Sequence, residues 1–475
     1  MRPLFALTIL LAACTGADKP PVETPIADTC DLADYAQVYA LSAPVEIVRD
    51  DRNVPHIYAQ TDADLFYASG YQIATDRLFE LDTFIRAAKG TLSEVRGEDE
   101  YLNDITARTF DFDRYACDSL AWIAEDRPDD YALLVAYVSG VNARIAEVRA
   151  GEAPLPWGFG AAELDYLPEF MAVADIVTIG QRVNLGYSST IEYDILYSLM
   201  TRLASNYAEL PIFDPGPDRF IVAATGSTGA ARPAAPPPPP LTWTEEEARA
   251  FLDGVMRLRK YTYPGEGSNN WAVNPAYTDN GRPLLANDPH SSFSDPHRLY
   301  TWHLNSADAG GSFDVAGFSF MGVPGVQLGH NARLAWAATT NFSDQTDIYD
   351  VAVDEDGHAD LGGTRVPVTE REETIRVKLA DGTYEERVLT VQEIDGYGVL
   401  LPEELLPVPK ALFAGGSVLV NWVGFSPTNE VFIYLDLNRA GTLDEFAAAI
   451  EHQRLGMHNW IGATKDGIRY HTNGL

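Results

Sequence analysis

The residues of this sequence that could most readily do chemistry open the segment Gly267-Ser268-Asn269-Asn270-Trp271-Ala272-Val273. A Gly-Ser turn before a strand is usually structural, but this one follows a proline-rich spacer, where a precursor could be cut to expose a new N-terminus. A serine with a free α-amino group holds nucleophile and base together, because such an amine titrates at about 7.7–8.0 and can accept the hydroxyl proton. Ser268 is therefore a candidate nucleophile that needs no histidine or aspartate partner.

A group of three histidines, His290, His297 and His303, is the second candidate, with Asp288 and Asp295 preceding its first two members. Imidazole and carboxylate groups are natural metal ligands. Their spacing, however, does not put the side chains on one helix face, and strand geometry would scatter them. Turn residues between strands are the favoured interpretation, and metal-dependent hydrolysis is the alternative.

The N-terminus predicts export from the cytoplasm. Arg2 precedes a short apolar run that is typical of a secretory signal and too short to span a bilayer. The run ends in Leu11-Ala12-Ala13-Cys14, which resembles a bacterial lipobox. We expect residues 1–14 to be a lipoprotein signal peptide and residues 15–42 a tether, with a periplasmic or cell-envelope body anchored to the membrane by a lipid on Cys14. A plain signal peptide with an incidental cysteine is the alternative.

Net charge and cysteine content narrow the class of protein further. The formal net charge of −35 excludes nucleic-acid binding as the main function, because such proteins need basic patches that displace phosphate counterions. Apart from Cys14, the cysteines are Cys30 and Cys117. An exported protein could join this pair in one disulfide, and two buried free thiols are the alternative.

The wider pattern divides the chain into a helical part, a spacer and a strand-rich part. The helical part starts like a β-hairpin and continues as an amphipathic helix that Gly90 would end. We expect a largely helical region over residues 43–210, a spacer over 211–267 that is proline-rich at 233–240, and strands over 268–475. The apolar face of the amphipathic helix carries Tyr71, Ala74, Leu78, Leu81, Ile85 and Ala88.

Several short motifs are spread along the chain in a fixed order. They are Val54-Pro55-His56-Ile57-Tyr58-Ala59, Ala68-Ser69-Gly70-Tyr71 through Asp76-Arg77-Leu78, Gly90-Thr91-Leu92-Ser93-Glu94, the segment from Gly267 to Val273, Pro283-Leu284-Leu285-Ala286-Asn287-Asp288-Pro289-His290, Gly322-Val323-Pro324-Gly325, Gly329-His330-Asn331 and Asp344-Gln345-Thr346-Asp347. None is distinctive alone. Together they resemble the penicillin acylase family of N-terminal-nucleophile hydrolases over nearly all of residues 43–475.

The resemblance implies an α+β fold, an αββα four-layer sandwich with a largely helical α-chain region. It also implies autocatalytic cleavage between Gly267 and Ser268 into an α chain and a β chain, through an ester formed when Ser268 attacks the Gly267 carbonyl. Ser268 would then be the nucleophile and its α-amine the general base. By the same resemblance, His290 would help to hold Ser268, and the backbone N–H of Thr340 would contribute to the oxyanion hole.

A structural calcium ion is also implied by the resemblance. Its ligands would be Glu192 from the α chain and Asp344, Thr346 and Asp347 from the β chain. Hard oxygen ligands from separate segments suit Ca²⁺ and would clamp the two chains together. A solvated acidic loop is the alternative in a chain this acidic.

The sequence departs from the family pattern in one respect. A downstream asparagine that completes the oxyanion hole and an assisting arginine are expected beyond residue 475, so the C-terminal part of the fold is expected to be missing; Asn459 belongs to another motif. The resemblance implies an amidohydrolase that acts on an N-acyl amide such as a β-lactam antibiotic or an acyl-homoserine lactone. Small residues at the acyl-pocket positions, Gly186 and Ser291, would leave room for a bulkier acyl group. A truncated or non-catalytic cell-envelope lipoprotein is the alternative.

Overall fold

The computed structural model describes residues 9–11, 39–191, 194–195, 267–290, 298–341, 343–406, 413, 415–428 and 430–473. Most of the predicted signal peptide and tether, the spacer before Gly267, Glu192 and Ser291 therefore lie outside the described residues. In the ranges that are described, no helix combines the length and the apolar character needed to cross a membrane.

Among the residues described before the spacer, the structure has six helices. The first begins after Thr61, whose hydroxyl accepts the Asp64 N–H, and ends at Gly90, which takes a left-handed conformation with φ of 67°. In chain order the helices are α1 Asp62–Lys89, α2 Ser93–Arg96, α3 Tyr101–Phe110, α4 Phe112–Asp126, α5 Pro128–Arg149 and α6 Ala174–Ser188, and two more, α7 Glu430–Arg439 and α8 Leu443–Ile450, come near the end.

Two glycines allow α1 and α5 to pack with their backbones in contact. A Cβ on Gly70 would lie 1.9 Å from the Tyr137 carbonyl oxygen, and one on Gly140 would lie 1.9 Å from that of Tyr67. No larger residue fits this crossing without moving a helix. Cys117 on α4 is disulfide-bonded; its partner is not among the described residues, and the pairing with Cys30 stays a prediction.

Strands dominate the described residues from Gly267 onward, and most of the described strands belong to two sheets in which antiparallel pairing prevails. In chain order the strands are β1 Ile9–Leu11, β2 Val45–Arg49, β3 Pro55–Tyr58, β4 Gly267–Val273, β5 Leu284–His290, β6 Leu299–Asn305, β7 Asp314–Phe320, β8 Leu328–Asn331, β9 Leu334–Thr340, β10 Thr346–Ala352, β11 His358–Leu361, β12 Thr364–Pro367, β13 Thr369–Lys378, β14 Tyr384–Ile394, β15 Gly398–Leu400, β16 Gly416–Trp422, β17 His458–Thr464 and β18 Gly467–Thr472.

The large sheet has the order β1-β2-β3-β6-β7-β8-β9-β17-β18. One of its faces packs on the helices through Trp302, Trp336 and Trp460, which are all fully buried. On the opposite face, Ala337 and Ala463 are buried where the β4–β5 hairpin lies across β9 and β17. The predicted α+β class is confirmed, and the described residues supply the helices, the large sheet and this hairpin.

A second, five-stranded sheet has the order β10-β16-β15-β14-β13. It packs against α3, and the two together form a separate apolar cluster. Phe110 at the end of α3 and Phe112 at the start of α4 pack edge-on against Trp422 of β16. The indole N–H of Trp422 donates to the Ser188 hydroxyl at 2.8 Å. This contact fixes the end of α6 beside the strand β10, which carries Thr346 and Asp347.

Candidate active site

Ser268 lies on β4, which pairs antiparallel with β5 so that Ser268 stands opposite Pro289 and Gly267 stands opposite His290. Side chains alternate along a strand, and burial follows this alternation here. Ser268 and Asn270 are half-buried on the face turned to the large sheet, whereas Trp271 is exposed over 53% of its surface. The hairpin therefore directs the predicted nucleophile inward, toward β9 and β17.

Two contacts show the direction in which β4 crosses the large sheet. The Asn270 amide donates to the Asn459 carbonyl at the start of β17, at 3.1 Å. Past the other end of β4, the Asn274 amide nitrogen lies 3.9 Å from the position that a Cβ would take on Gly467. Because Gly467 follows the end of β17, β4 and β17 run the same way, and Ser268 lies toward the start of β17.

Thr340, the predicted oxyanion donor, ends β9 opposite His458, the first residue of β17. The Asn341 N–H donates to the Met457 carbonyl at 3.1 Å, and the His458 carbonyl accepts the Asn473 N–H at 3.4 Å. Hydrogen-bonded and non-hydrogen-bonded pairs alternate in an antiparallel ladder, so Thr340 and His458 form a non-hydrogen-bonded pair. The Thr340 N–H therefore points away from β17, to the side where β8 pairs only with Ala335 and Trp336.

The His290 side chain lies beside the bond predicted to be cleaved. Its Nε2 atom is 2.9 Å from Asp288 Oδ2 and 3.1 Å from the Asn269 amide nitrogen. Its Nδ1 atom lies 3.8 Å from the position of a Cβ on Gly267. These contacts place His290 against Gly267 and Asn269, and its predicted support of Ser268 stays a prediction.

His303 has partners remote from those of His290. Its Nδ1 atom is 3.1 Å from Nδ1 of His56, and its Nε2 atom is 3.0 Å from Asp314 Oδ1. His297 lies outside the described residues. Among the residues that are described, no three His, Cys, Asp or Glu side chains form a group that could hold a metal ion.

Two of the predicted calcium ligands, Asp344 and Thr346, contact Thr190, two residues past the end of α6. The Thr190 hydroxyl lies 2.8 Å from Asp344 Oδ1, 3.1 Å from the Thr346 carbonyl oxygen and 3.1 Å from Asp194 Oδ2. Asp347 is exposed nearby on β10. Asp194, which the sequence analysis did not name, contacts the same hydroxyl.

A cavity lies between α6, α7, the end of β7 and the start of β17. His458 lines it, and burial lowers the pKa of this imidazole from its ordinary 6.5 to about 4. Gly186, predicted to line the acyl pocket, is buried on α6, whereas its neighbour Tyr187 reaches the cavity. The sequence carries no local signal for this cavity, because its walls come from four distant segments.

Comparison with known proteins shows which family and which proteins this chain is similar to. Residues 44–475 match the family model described as Penicillin amidase. The chain is 31% identical over 370 residues to penicillin acylase 2 proenzyme of Pseudomonas sp. strain SE83, covering 77% of this chain and 45% of that protein. It is 25% identical to the acyl-homoserine lactone acylase QuiP of Pseudomonas fluorescens Pf-5, covering 99% and 54%. The chain thus spans about half the length of the curated relatives it matches.

A solved structure of the thermostable penicillin G acylase from Alcaligenes faecalis also aligns with the chain. The aligned part has 21% sequence identity and a TM-score of 0.35. It covers 43% of this chain and 35% of that one.

Proposed function

Because the chain belongs to the penicillin amidase family, we propose that its full-length protein hydrolyses the amide bond of an N-acyl substrate through an acyl-enzyme on Ser268. The observation that carries the proposal is the course of β4 along β17. It puts Ser268 on the inward face of the hairpin, toward the end of β9 where the Thr340 N–H leaves the ladder. The location of Ser268 and Thr340 toward the same end of the sheet supports the roles proposed for them.

The first step is self-cleavage of the precursor. Ser268 Oγ attacks the Gly267 carbonyl carbon, the Gly267–Ser268 amide bond breaks, and an ester forms while the Ser268 nitrogen takes a proton. Water then hydrolyses the ester, leaving a carboxylate on Gly267 and a free α-amine on Ser268. His290, opposite Gly267, adjoins this bond.

The same serine then acts on the substrate. Its α-amine takes the proton from Oγ, and Oγ attacks the substrate carbonyl and expels the amine; water releases the acid from the resulting ester. The Thr340 N–H faces the charge that develops on the carbonyl oxygen, and one such donor contributes roughly 2.7–4 kcal/mol in acyl-transfer enzymes. The names of the relatives suggest penicillins and acyl-homoserine lactones as substrates.

We also propose a structural calcium ion and export. The oxygens of Asp344 and Thr346 that converge on Thr190 are hard donors of the kind Ca²⁺ prefers, so this donor set fits the ion. Glu192 and Asp347 are the further ligands that the resemblance implies, and the bound ion would join the two chains. The N-terminal signal and Cys14 support a lipid-anchored protein of the cell envelope.

The proposal is tested on the full-length protein by intact mass and N-terminal sequencing. We expect a new N-terminus at Ser268 that is absent in Ser268→Ala. Ser312→Ala is the matched control, because Ser312 is exposed in the loop before β7, and it should be cleaved as the wild type is. An uncut wild-type protein that hydrolyses no N-acyl amide would favour the second candidate, a non-catalytic lipoprotein with this fold.

A further inference from the structure

We infer that the facing imidazoles of His56 and His303 form a binding site for a divalent transition metal such as Zn²⁺. The site uses none of the proposed calcium ligands and none of the residues proposed to act with Ser268. His56 precedes the spacer and His303 follows it, so the bound metal would also join the two chains that self-cleavage produces. This last consequence rests on the proposed function, whereas metal binding does not.

The backbone brings the two histidines together. Strands β3 and β6 pair in parallel, and His56 is the direct register partner of His303. Side chains alternate between the two faces of a strand. The neighbouring residues Ile57 and Trp302 are fully buried in the core that the large sheet forms with the helices, so both imidazoles lie on the opposite face. Both histidines are only partly buried there, and both are in contact with solvent.

The two facing nitrogens have nearly the spacing that one metal ion requires. Nδ1 of His56 lies 3.1 Å from Nδ1 of His303. Zn–N bonds of about 2.0–2.1 Å that meet at a tetrahedral angle put two ligand nitrogens roughly 3.3 Å apart. The imidazoles would therefore have to separate by only about 0.2 Å to hold the ion. Imidazole suits Zn²⁺, Cu²⁺ and Ni²⁺, whereas Ca²⁺ takes oxygen ligands.

A carboxylate lies behind each imidazole. Asp314 Oδ1 is 3.0 Å from Nε2 of His303. Because a carboxylate can only accept, this nitrogen carries the proton, and Nδ1 turns its lone pair toward His56. Asp50 Oδ2 lies 3.9 Å from Nε2 of His56, and the same carboxylate is held by two backbone N–H groups of the turn that follows it. Metal-bound histidines usually have such a carboxylate behind the ring, which orients the ring and raises its basicity.

A hydrogen bond between the imidazoles is the alternative arrangement. His56 would then donate from Nδ1 to His303, and its own Nε2 would face Asp50 at a distance too long for a hydrogen bond. A metal ion instead takes the lone pairs of both Nδ1 atoms and leaves both Nε2–H groups directed at the carboxylates. Two carboxylates in a chain of net charge −35 also favour a bound cation.

The rest of the coordination would come from water. Within the ranges that the structure describes, no third His, Cys, Asp or Glu completes a metal-binding group with the pair. The two ligands come from β3 and β6, whose parallel pairing comprises three register pairs. A metal that takes one ligand from each strand would add a link across this short pairing, and the link would persist after the Gly267–Ser268 bond is cut.

The test is a calorimetric titration of Zn²⁺ into the untagged full-length protein, with Ca²⁺ present to occupy the proposed calcium site. We expect Zn²⁺ binding whose affinity falls about tenfold or more in His56→Gln and in His303→Gln, because each variant removes a ligand nitrogen. Asp314→Asn, which keeps both ligands, should weaken binding about tenfold. His330→Gln is the matched control, because His330 is exposed on β8 of the same sheet, and it should bind Zn²⁺ as the wild type does.

Equal Zn²⁺ affinity in the wild type, His56→Gln and His303→Gln, or no Zn²⁺ binding at all, would overturn the inference and leave the proposed hydrolysis standing. Zn²⁺ should also raise the urea concentration at which the cleaved chains separate, in the wild type but not in His303→Gln, and an unchanged midpoint would overturn the joining role. Ser268→Ala, which should stay uncut, should bind Zn²⁺ as the wild type does. If the wild type is itself uncut and inactive, the proposed function fails, and the titration still decides the metal site.

Discussion

The large sheet and the β4–β5 hairpin differ in how much of their surface this chain buries. In the sheet, Trp302, Trp336 and Trp460 are fully buried against the helices, whereas the hairpin leaves Trp271 53% exposed and Leu284 50% exposed. Burial of apolar surface is the main source of folding free energy. The sheet with its helices is therefore the stable scaffold, and the hairpin presents the residues proposed to react. Substitutions in the two regions should affect different properties.

A pair of tryptophan substitutions tests this contrast most directly. Trp336→Ala removes a fully buried ring and should lower the free energy of unfolding by about 3–5 kcal/mol. Trp271→Ala removes an exposed ring and should change it by no more than about 0.5 kcal/mol. Urea titration followed by circular dichroism measures both, and equal losses would contradict the division into scaffold and hairpin.

His458, at the boundary of the two regions, should make stability depend on pH. Burial lowers its pKa to about 4, so between pH 6.5 and 4 the unfolded chain takes up a proton that the folded chain does not. The stabilisation is therefore present above pH 6.5 and is lost as the pH falls, by about 3 kcal/mol in all. The free energy of unfolding of the wild type relative to His458→Gln should fall by this amount. His452→Gln, an exposed neighbour, should follow the wild type, and parallel curves for all three proteins would refute the pKa assignment.

The crossing of α1 and α5 should be sensitive to a single methyl group. Gly140→Ala puts a Cβ 1.9 Å from the Tyr67 carbonyl oxygen and should cost about 1–3 kcal/mol or more, as overpacking does. Gly180→Ala on α6 meets open space and should raise stability by roughly 0.5–1 kcal/mol through helix propensity. Thermal unfolding distinguishes them, and a neutral Gly140→Ala would show that the two helices are farther apart.

The loss of a single hydrogen bond in the hairpin should change stability only modestly. Asn270→Ala removes the bond to the Asn459 carbonyl and should cost about 0.5–1.5 kcal/mol, but it should slow self-cleavage clearly because β4 loses its alignment on β17. Asn287→Ala is matched to it: Asn287 stands opposite Asn270, and its amide has no partner in the described residues. The rate at which the Ser268 N-terminus appears is the measurement, and equal rates in the two variants would remove the aligning role.

The sequence by itself determined those features of the protein that depend on residues close together in the chain. The amphipathic pattern around Ala74 and Leu78 and the stop at Gly90 predicted α1 correctly, because a helix repeats every 3.6 residues and ends where a left-handed conformation is easy. The β2–β3 hairpin and the strands around Trp302 and Trp336 were likewise predicted, from the alternation of apolar and polar residues and from the turn residues between strands. The motif pattern also predicted the family, which the match over residues 44–475 confirms.

Only the tertiary structure decided which distant residues meet. The direction of the Thr340 N–H depends on the register between β9 and β17, which no single segment encodes. The approach of Thr190 to Asp344 depends on where α6 ends against the second sheet. The cavity lined by His458 forms from segments far apart in the chain. Such contacts arise from packing between elements, and local sequence patterns carry information only about the elements themselves.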